Sequence, residues 1–218
     1  MIEDAISCRP GRPKDSAKRE EIVAAATLLF MENGYELTSM EAVARQAGVS
    51  KLTIYSHFAD KSELFRAIIQ YRCDKLCMPT SFLSEAKAPV ERALLKIARH
   101  VASLIYHADS LRLMRVVQAE AAHHPETVQI FYEVGPRRVK AAFADLLREL
   151  DRRGRIAVPD PARAAEQFFS LLKGETLQRT LMFQMPAPGK KELDAHVKAT
   201  VAFFLAACRP RKTKPQKR

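Results

Sequence analysis

Glycine is scarce in this chain, with seven among 218 residues. No run of alternating β-branched residues accompanies them, which excludes a turn-dense sheet architecture and leaves a helical composition. Cysteine is scarce as well. Cys8, Cys73, Cys77 and Cys208 are too few and too scattered for a disulfide scaffold, so a reducing cytoplasm is the default compartment. No stretch approaches the roughly 18 uninterrupted apolar residues of a membrane span. The opening MIEDAISCRPGRPKD lacks the apolar core of a secretory signal. A Gly-rich phosphate loop, a nucleophile elbow and a metal-spaced His/Cys/Glu cluster are all missing. These absences point away from an enzyme and offer no catalytic residue, no cofactor and no metal site. A cytoplasmic protein with no membrane partner is expected.

What is present is apolar residues in quantity and positive charge. Hydrophobic residues make up 47% of the chain, enough to bury a core. The length suits one large domain, or a small one joined to a larger. The formal net charge of +11 favours a polyanionic partner, nucleic acid first. The charge gathers at the ends: Arg9, Arg12, Lys14, Lys18 and Arg19 near the start, and Arg209, Arg211, Lys212, Lys214, Lys217 and Arg218 in the last ten residues.

The organisation follows from breakers and caps. Pro10, Gly11 and Pro13 keep residues 1–14 from regular helix, leaving a flexible basic arm. Ile22, Ala26, Leu29 and Phe30 then recur at helical spacing, and Gly34 offers a left-handed stop. Thr38 can cap a second, short helix, with Glu41 three residues on as in a capping box and Val43 and Ala44 inward. Gly48 ends it. Ser50 caps a third helix over residues 51–58, with Ile54 and Phe58 facing inward. Asp60 and Glu63 open a fourth, which carries Leu64, Phe65, Ile68 and Ile69 inward to about Cys77. Met78-Pro79-Thr80-Ser81 marks the domain boundary, so residues 15–77 form one domain and 78–208 another, with a basic tail at 209–218. The second domain reads as longer helices. Gly135-Pro136 should kink or break one of them, and Asp160-Pro161 should start another near residues 160–185. Leu193, Val197, Val201, Phe204 and Cys208 form a stripe on the last helix, read as a two-fold interface. Roughly nine helices and essentially no sheet are expected.

Two short helices joined by a glycine-centred turn and flanked by two others are the parts of a helix-turn-helix. A major groove admits one helix, and a second must brace it. Residues 51–58 fit the inserted role: Lys51, Thr53, Tyr55, Ser56 and His57 can face outward. Residues 11–70, GRPKDSAKREEIVAAATLLFMENGYELTSMEAVARQAGVSKLTIYSHFADKSELFRAII, resemble the DNA-binding domain of the TetR family of repressors. The match is carried by Gly34-Tyr35, Thr38-Ser39, Ala47-Gly48-Val49-Ser50, Tyr55, Phe58, Lys61 and Leu64. The stretches FYEVGPRRVKAAFADLLRELDRRGRI and DPARAAEQFFSLLKGETLQRTL resemble, less tightly, the C-terminal region of the AefR-like branch.

The resemblance implies an all-α regulator: a helix-turn-helix domain, then a helical ligand-binding and dimerisation domain. It implies a homodimer on double-stranded DNA, an apolar pocket for a small-molecule effector still to be identified, and dimerisation through the last two helices. Ligand would move the fourth helix and spread the reading heads. Phosphate contacts would come from Ser39, Ser50, Tyr55, His57 and Lys61; Lys51, Leu52, Thr53 and Ser56 would lie nearest base edges. Leu52 and Ser56 are where relatives differ, which bears on the operator sequence. The alternative is a DNA-binding regulator controlled by a protein partner. Cys73 and Cys77, four apart on one helix face, read as small core residues. Adjacent His123 and His124 beside Glu120 read as exposed polar groups. Arg9 and Arg12 could reach a minor groove or the backbone.

Overall fold

The computed structural model describes residues 14–75 and 82–208. Residues 1–13 of the expected arm, the boundary at Met78–Ser81, Cys77 and the basic tail lie outside the described residues; Lys14, read as the end of the arm, is the first residue of the first helix. Two compact units are present, the first ending at Ile68 and the second beginning at Ile69. All secondary structure among the described residues is helical: α1 (Lys14–Asn33), α2 (Met40–Gln46), α3 (Lys51–His57), α4 (Lys61–Lys75), α5 (Val90–Ile105), α6 (Ala108–Glu120), α7 (Pro125–Tyr132), α8 (Arg138–Arg152), α9 (Pro161–Met182) and α10 (Lys190–Ala207). The division between the units falls inside α4. No helix among the described residues is long and apolar enough to cross a membrane.

In the first unit, α1 buries Ile22, Ala26 and Phe30 at i, i+4 spacing, and α4 buries Leu64, Phe65 and Ile68. The Phe30, Tyr35 and Phe65 rings meet at 5.2–5.6 Å, the Tyr35–Phe65 pair edge-on. Such pairs add roughly 0.5–1.5 kcal/mol beyond the area they bury. Gly34, at φ 80°, ends α1 and returns its N–H to the Phe30 carbonyl. The second helix corrects one expectation. Its cap is Ser39, whose Oγ accepts from the Ala42 N–H at 3.1 Å. Thr38 is buried, and its hydroxyl donates backwards to the Gly34 carbonyl at 2.8 Å. Two neighbouring hydroxyls competed for the role, and burial of the threonine methyl left the helix start to the serine.

In the second unit, Phe143 of α8 stacks on Phe168 of α9 at 4.6 Å and meets Phe82, Phe169 and Phe204. This aromatic cluster is the centre of a core to which α5, α8, α9 and α10 all contribute. A 3₁₀ segment, Leu83–Lys87, is fastened to it by Arg155, which donates to the Ala86 and Ala88 carbonyls at 2.8 and 2.7 Å.

Three features bear on what was expected. Gly135-Pro136 interrupts its α-helix, as expected, without breaking the chain out of helix: α7 and α8 are joined through a π-helical turn, Glu133–Arg137. The wider turn accommodates the proline, which has no N–H to give. The helix near residues 160–185 is interrupted as well, at Gly174 (φ 57°, ψ −173°), where no break was expected. Two side chains take up carbonyls there. His196 Nε2 lies 3.0 Å from the Leu172 carbonyl, and the Tyr106 hydroxyl donates to that of Lys173 at 3.1 Å. The stripe on the last helix is the third. Val197, Val201, Phe204 and Cys208 are buried in the protomer's own core, and Leu193 packs against it. Beyond its first turn, the exposed residues of α10 are Ala195, Lys198, Ala199, Ala202, Phe203, Ala206 and Ala207. Most of the larger apolar residues went to the nearest core, leaving mainly alanines outward, with Phe203 and Lys198 among them.

Candidate nucleic-acid interface

The first unit builds a reading face from two helix starts and one tight turn. Between α2 and α3, Gly48 adopts φ +64°. The Val49 N–H returns to the Ala44 carbonyl at 3.0 Å and the Gly48 N–H to that of Arg45 at 3.2 Å. This paired closure needs a left-handed residue, and it fixes where α3 begins. Ser50 then caps α3, its Oγ accepting from the Thr53 N–H at 3.0 Å and lying 2.8 Å from the Thr53 hydroxyl.

Ile54 and Phe58 are fully buried and anchor α3 to the unit. What remains turns outward. Lys51 and Ser56 are exposed, and Thr53 and His57 are half-buried. Leu52 is 82% exposed and Tyr55 is 40% exposed. The Ser56 hydroxyl donates to the Thr53 carbonyl at 2.7 Å, which leaves its oxygen lone pairs outward. Ser50, Lys51, Leu52, Thr53, Tyr55, Ser56 and His57 therefore share one helix and its cap. Ser39 stands at the start of α2 instead. Lys61 stands in the first turn of α4, where its ammonium donates to the Glu36 carbonyl at 3.0 Å and lies 4.5 Å from the Tyr35 ring centre. Half of the box read at the start of α4 is formed: Asp60 Oδ1 accepts from the Glu63 N–H, but Glu63 Oε2 accepts from the Ala59 N–H, one residue before the cap. The hydrogen bond from the Glu63 N–H holds the Asp60 carboxyl below the usual range.

Sequence reasoning missed two members of this surface. Glu41, read as half of a capping box, puts Oε1 2.5 Å from the Lys51 ammonium. Their hydrogen bond raises the Lys51 pKa and lowers that of Glu41. Both groups are open to water, so the pair is weak and salt-sensitive. Arg19 of α1 sets its guanidinium 4.7 Å over the Phe58 ring, bringing positive charge to the end of α3. A ten-residue separation across a turn hides the first contact from any periodicity reading; the second depends on how α1 packs.

A fixed, exposed helix bearing hydroxyls, a lysine, a tyrosine and one leucine can enter a groove, donate to and accept from base edges, and touch a methyl group. Comparison with known proteins identifies the family. Residues 22–68 match the family model of the bacterial regulatory proteins of the tetR family, and residues 92–210 match the C-terminal domain of AefR-like transcriptional repressors. A TetR-family regulator structure from Mesorhizobium loti is similar at 30% identity and a TM-score of 0.79, covering 91% of this chain and all of that one. The flavonoid-responsive regulator FrrA is similar at 33% identity and a TM-score of 0.77, covering 90% of this chain and 99% of FrrA. The transcriptional activator FasR of Mycolicibacterium smegmatis is 39% identical over 64 residues, 29% of each chain.

Proposed function

The chain belongs to the TetR family of DNA-binding transcriptional regulators, which are not enzymes, and from that premise we propose a homodimeric repressor released from a palindromic operator by a small apolar ligand. The observation that carries the reading is the outward face of α3, anchored from beneath by two fully buried residues and held at its start by Ser50. Tyr55, His57, Lys61, Ser39 and Ser50 hold phosphates; Lys51, Leu52, Thr53 and Ser56 read base edges.

Dimerisation uses the face that the protomer leaves open. Phe203 is 66% exposed and Leu171 is 38% exposed; both line a groove between α9 and α10 of about 780 Å³. The alanines of α10 beside them let a second helix pair approach closely, as a two-fold contact requires. Repression is the sign carried by the AefR-like relatives, although FasR is an activator. FrrA, by its name, answers a flavonoid, which supports a ligand for the second unit here.

The test is fluorescence anisotropy with DNA from upstream of the protein's own gene. Saturable binding by two protomers per site is expected, and Phe203→Glu should give monomers that no longer bind it. Binding no tighter to this DNA than to random DNA would refute the reading. An operator that no small apolar compound releases, but a protein does, would favour control by a partner.

A further inference from the structure

A cavity of about 140 Å³ lies within the second unit. Leu113, Met114, Phe131 and Leu177 supply its apolar wall, and Arg72 and Lys173 are its charged lining residues. No carboxylate lines it among the described residues. The two cations are not equivalent. Arg72 Nη2 lies 2.7 Å from Asp109 Oδ2, an ion pair that answers its charge although the buried Nη2 makes no hydrogen bond there. Lys173, partly exposed at the rim, has no ion pair among the described residues. Burial and the neighbouring Lys140 ammonium hold its pKa below the ordinary lysine value. The interruption at Gly174 fixes it there, because the Tyr106 hydroxyl holds the Lys173 carbonyl.

Size and charge together select a ligand. A dry cavity of about 150 Å³ walled by Leu, Ile and Phe holds a molecule the size of benzene. One unanswered ammonium at the edge of an apolar wall favours one negative charge. We infer that this cavity takes a single aromatic ring bearing one carboxylate, the ring against Phe131 and Met114 and the carboxylate on the Lys173 ammonium. The inference rests on the reading of the second unit as ligand-responsive and narrows the class of that ligand from apolar to an aromatic anion. It also gives Arg72 a part: α4 supplies it to the cavity, so a bound ligand touches the helix that both units share.

The experiment is isothermal titration of the full-length protein with benzoate and with benzamide, its neutral counterpart of the same shape. Benzoate should bind at least about tenfold tighter, the ratio for one modest charge pair. Lys173→Met should bring benzoate down to the level of benzamide, and Lys173→Arg should keep the preference. Equal binding of the two compounds, no binding of either, or a Lys173→Met variant with unchanged benzoate affinity would overturn the assignment. Operator release is measured separately by anisotropy. Lys173-dependent benzoate binding that leaves the DNA bound would uphold the ligand class and refute the release reading. Release by a different, neutral compound would do the reverse.

Discussion

Helix starts in the first unit are fixed from three residues away: Ser39 to Ala42, Ser50 to Thr53, Asp60 to Glu63. In the second unit Asp160 caps α9 from the same distance, at Arg163, and His107 caps α6, but the bend in α9 and the segment before α5 are held from far along the chain. Tyr106 reaches the Lys173 carbonyl, Arg155 reaches Ala86 and Ala88, and His196 reaches Leu172. The first unit thus holds a surface in a set geometry by many small local devices. The second adds a few long-range ones around a core and a cavity. Local devices individually contribute about 1 kcal/mol, as a helix cap does, whereas a core aromatic contributes several times that.

The largest effect should therefore come from the second unit. Phe143→Ala, which empties the centre of five rings, is expected to cost about 3–5 kcal/mol in urea unfolding followed by circular dichroism. A loss below about 1 kcal/mol would show a core able to collapse around the gap, and the contrast would fail.

Next comes the reading face, where the contrast is between reading and holding. Thr53→Ala should cost about 1–3 kcal/mol per half-site on the operator and little on random DNA. Lys61→Ala should weaken both DNAs and lower the salt slope by about one for each phosphate it no longer neutralises. A salt titration by anisotropy against both DNAs checks the pair; a Lys61→Ala effect confined to the operator would reverse the assigned roles.

A smaller effect is expected at the turn. A methyl group added at Gly48 would meet only open space, but the backbone there has a φ of +64°. Gly48→Ala should therefore cost about 1–2 kcal/mol from backbone strain alone. Gly48→Asn should recover part of that, since asparagine tolerates this region better. Denaturant titration of the three proteins decides it, and an alanine variant as stable as the parent would show that the turn can relax.

The smallest effect concerns the surface of α8. Arg152 and Arg153 hydrogen-bond Glu149 and lower its pKa from 4.5 to about 2. A depressed carboxylate pKa contributes stability that is present above the ordinary value and is lost as pH falls through the folded one. The difference in melting temperature between parent and Glu149→Gln should be small and salt-sensitive above pH 4.5, and should vanish near pH 2. A difference that persisted unchanged at pH 2 would mean that the glutamate acts by packing.

The same contrast explains what could be read from the sequence. Gly34, Gly48, Ser50 and the Asp60/Glu63 pair announce themselves by residue type and spacing, and the structure uses each as its type suggests. Thr38 and Ser39 could not be told apart, because only burial assigns the cap. Glu41 was visible, but its partner Lys51 belongs to the next helix. In the second unit, periodicity marked which residues of α10 are apolar but not which side has a core of its own to meet. The buried stripe and the alanine face are equally helical in spacing. Gly174 carried a signal, a lone glycine inside a helical pattern. Whether such a glycine bends a chain depends on side chains such as His196 and Tyr106 lying ready to donate to the freed carbonyls.

That interruption divides α9 in time as well as in space. Residues 161–173 belong with the aromatic core, while residues 175–182 join Tyr106 and Leu111 in a smaller group through Leu177 and Leu181. With the Leu172 and Lys173 carbonyls accepting from side chains, the backbone ladder does not carry cooperativity across Gly174. The helix should therefore exchange its amide hydrogens as two separate units, the first with the slow global rate and the second by frequent local opening. Any molecule that settles against Leu177 would slow the second set alone.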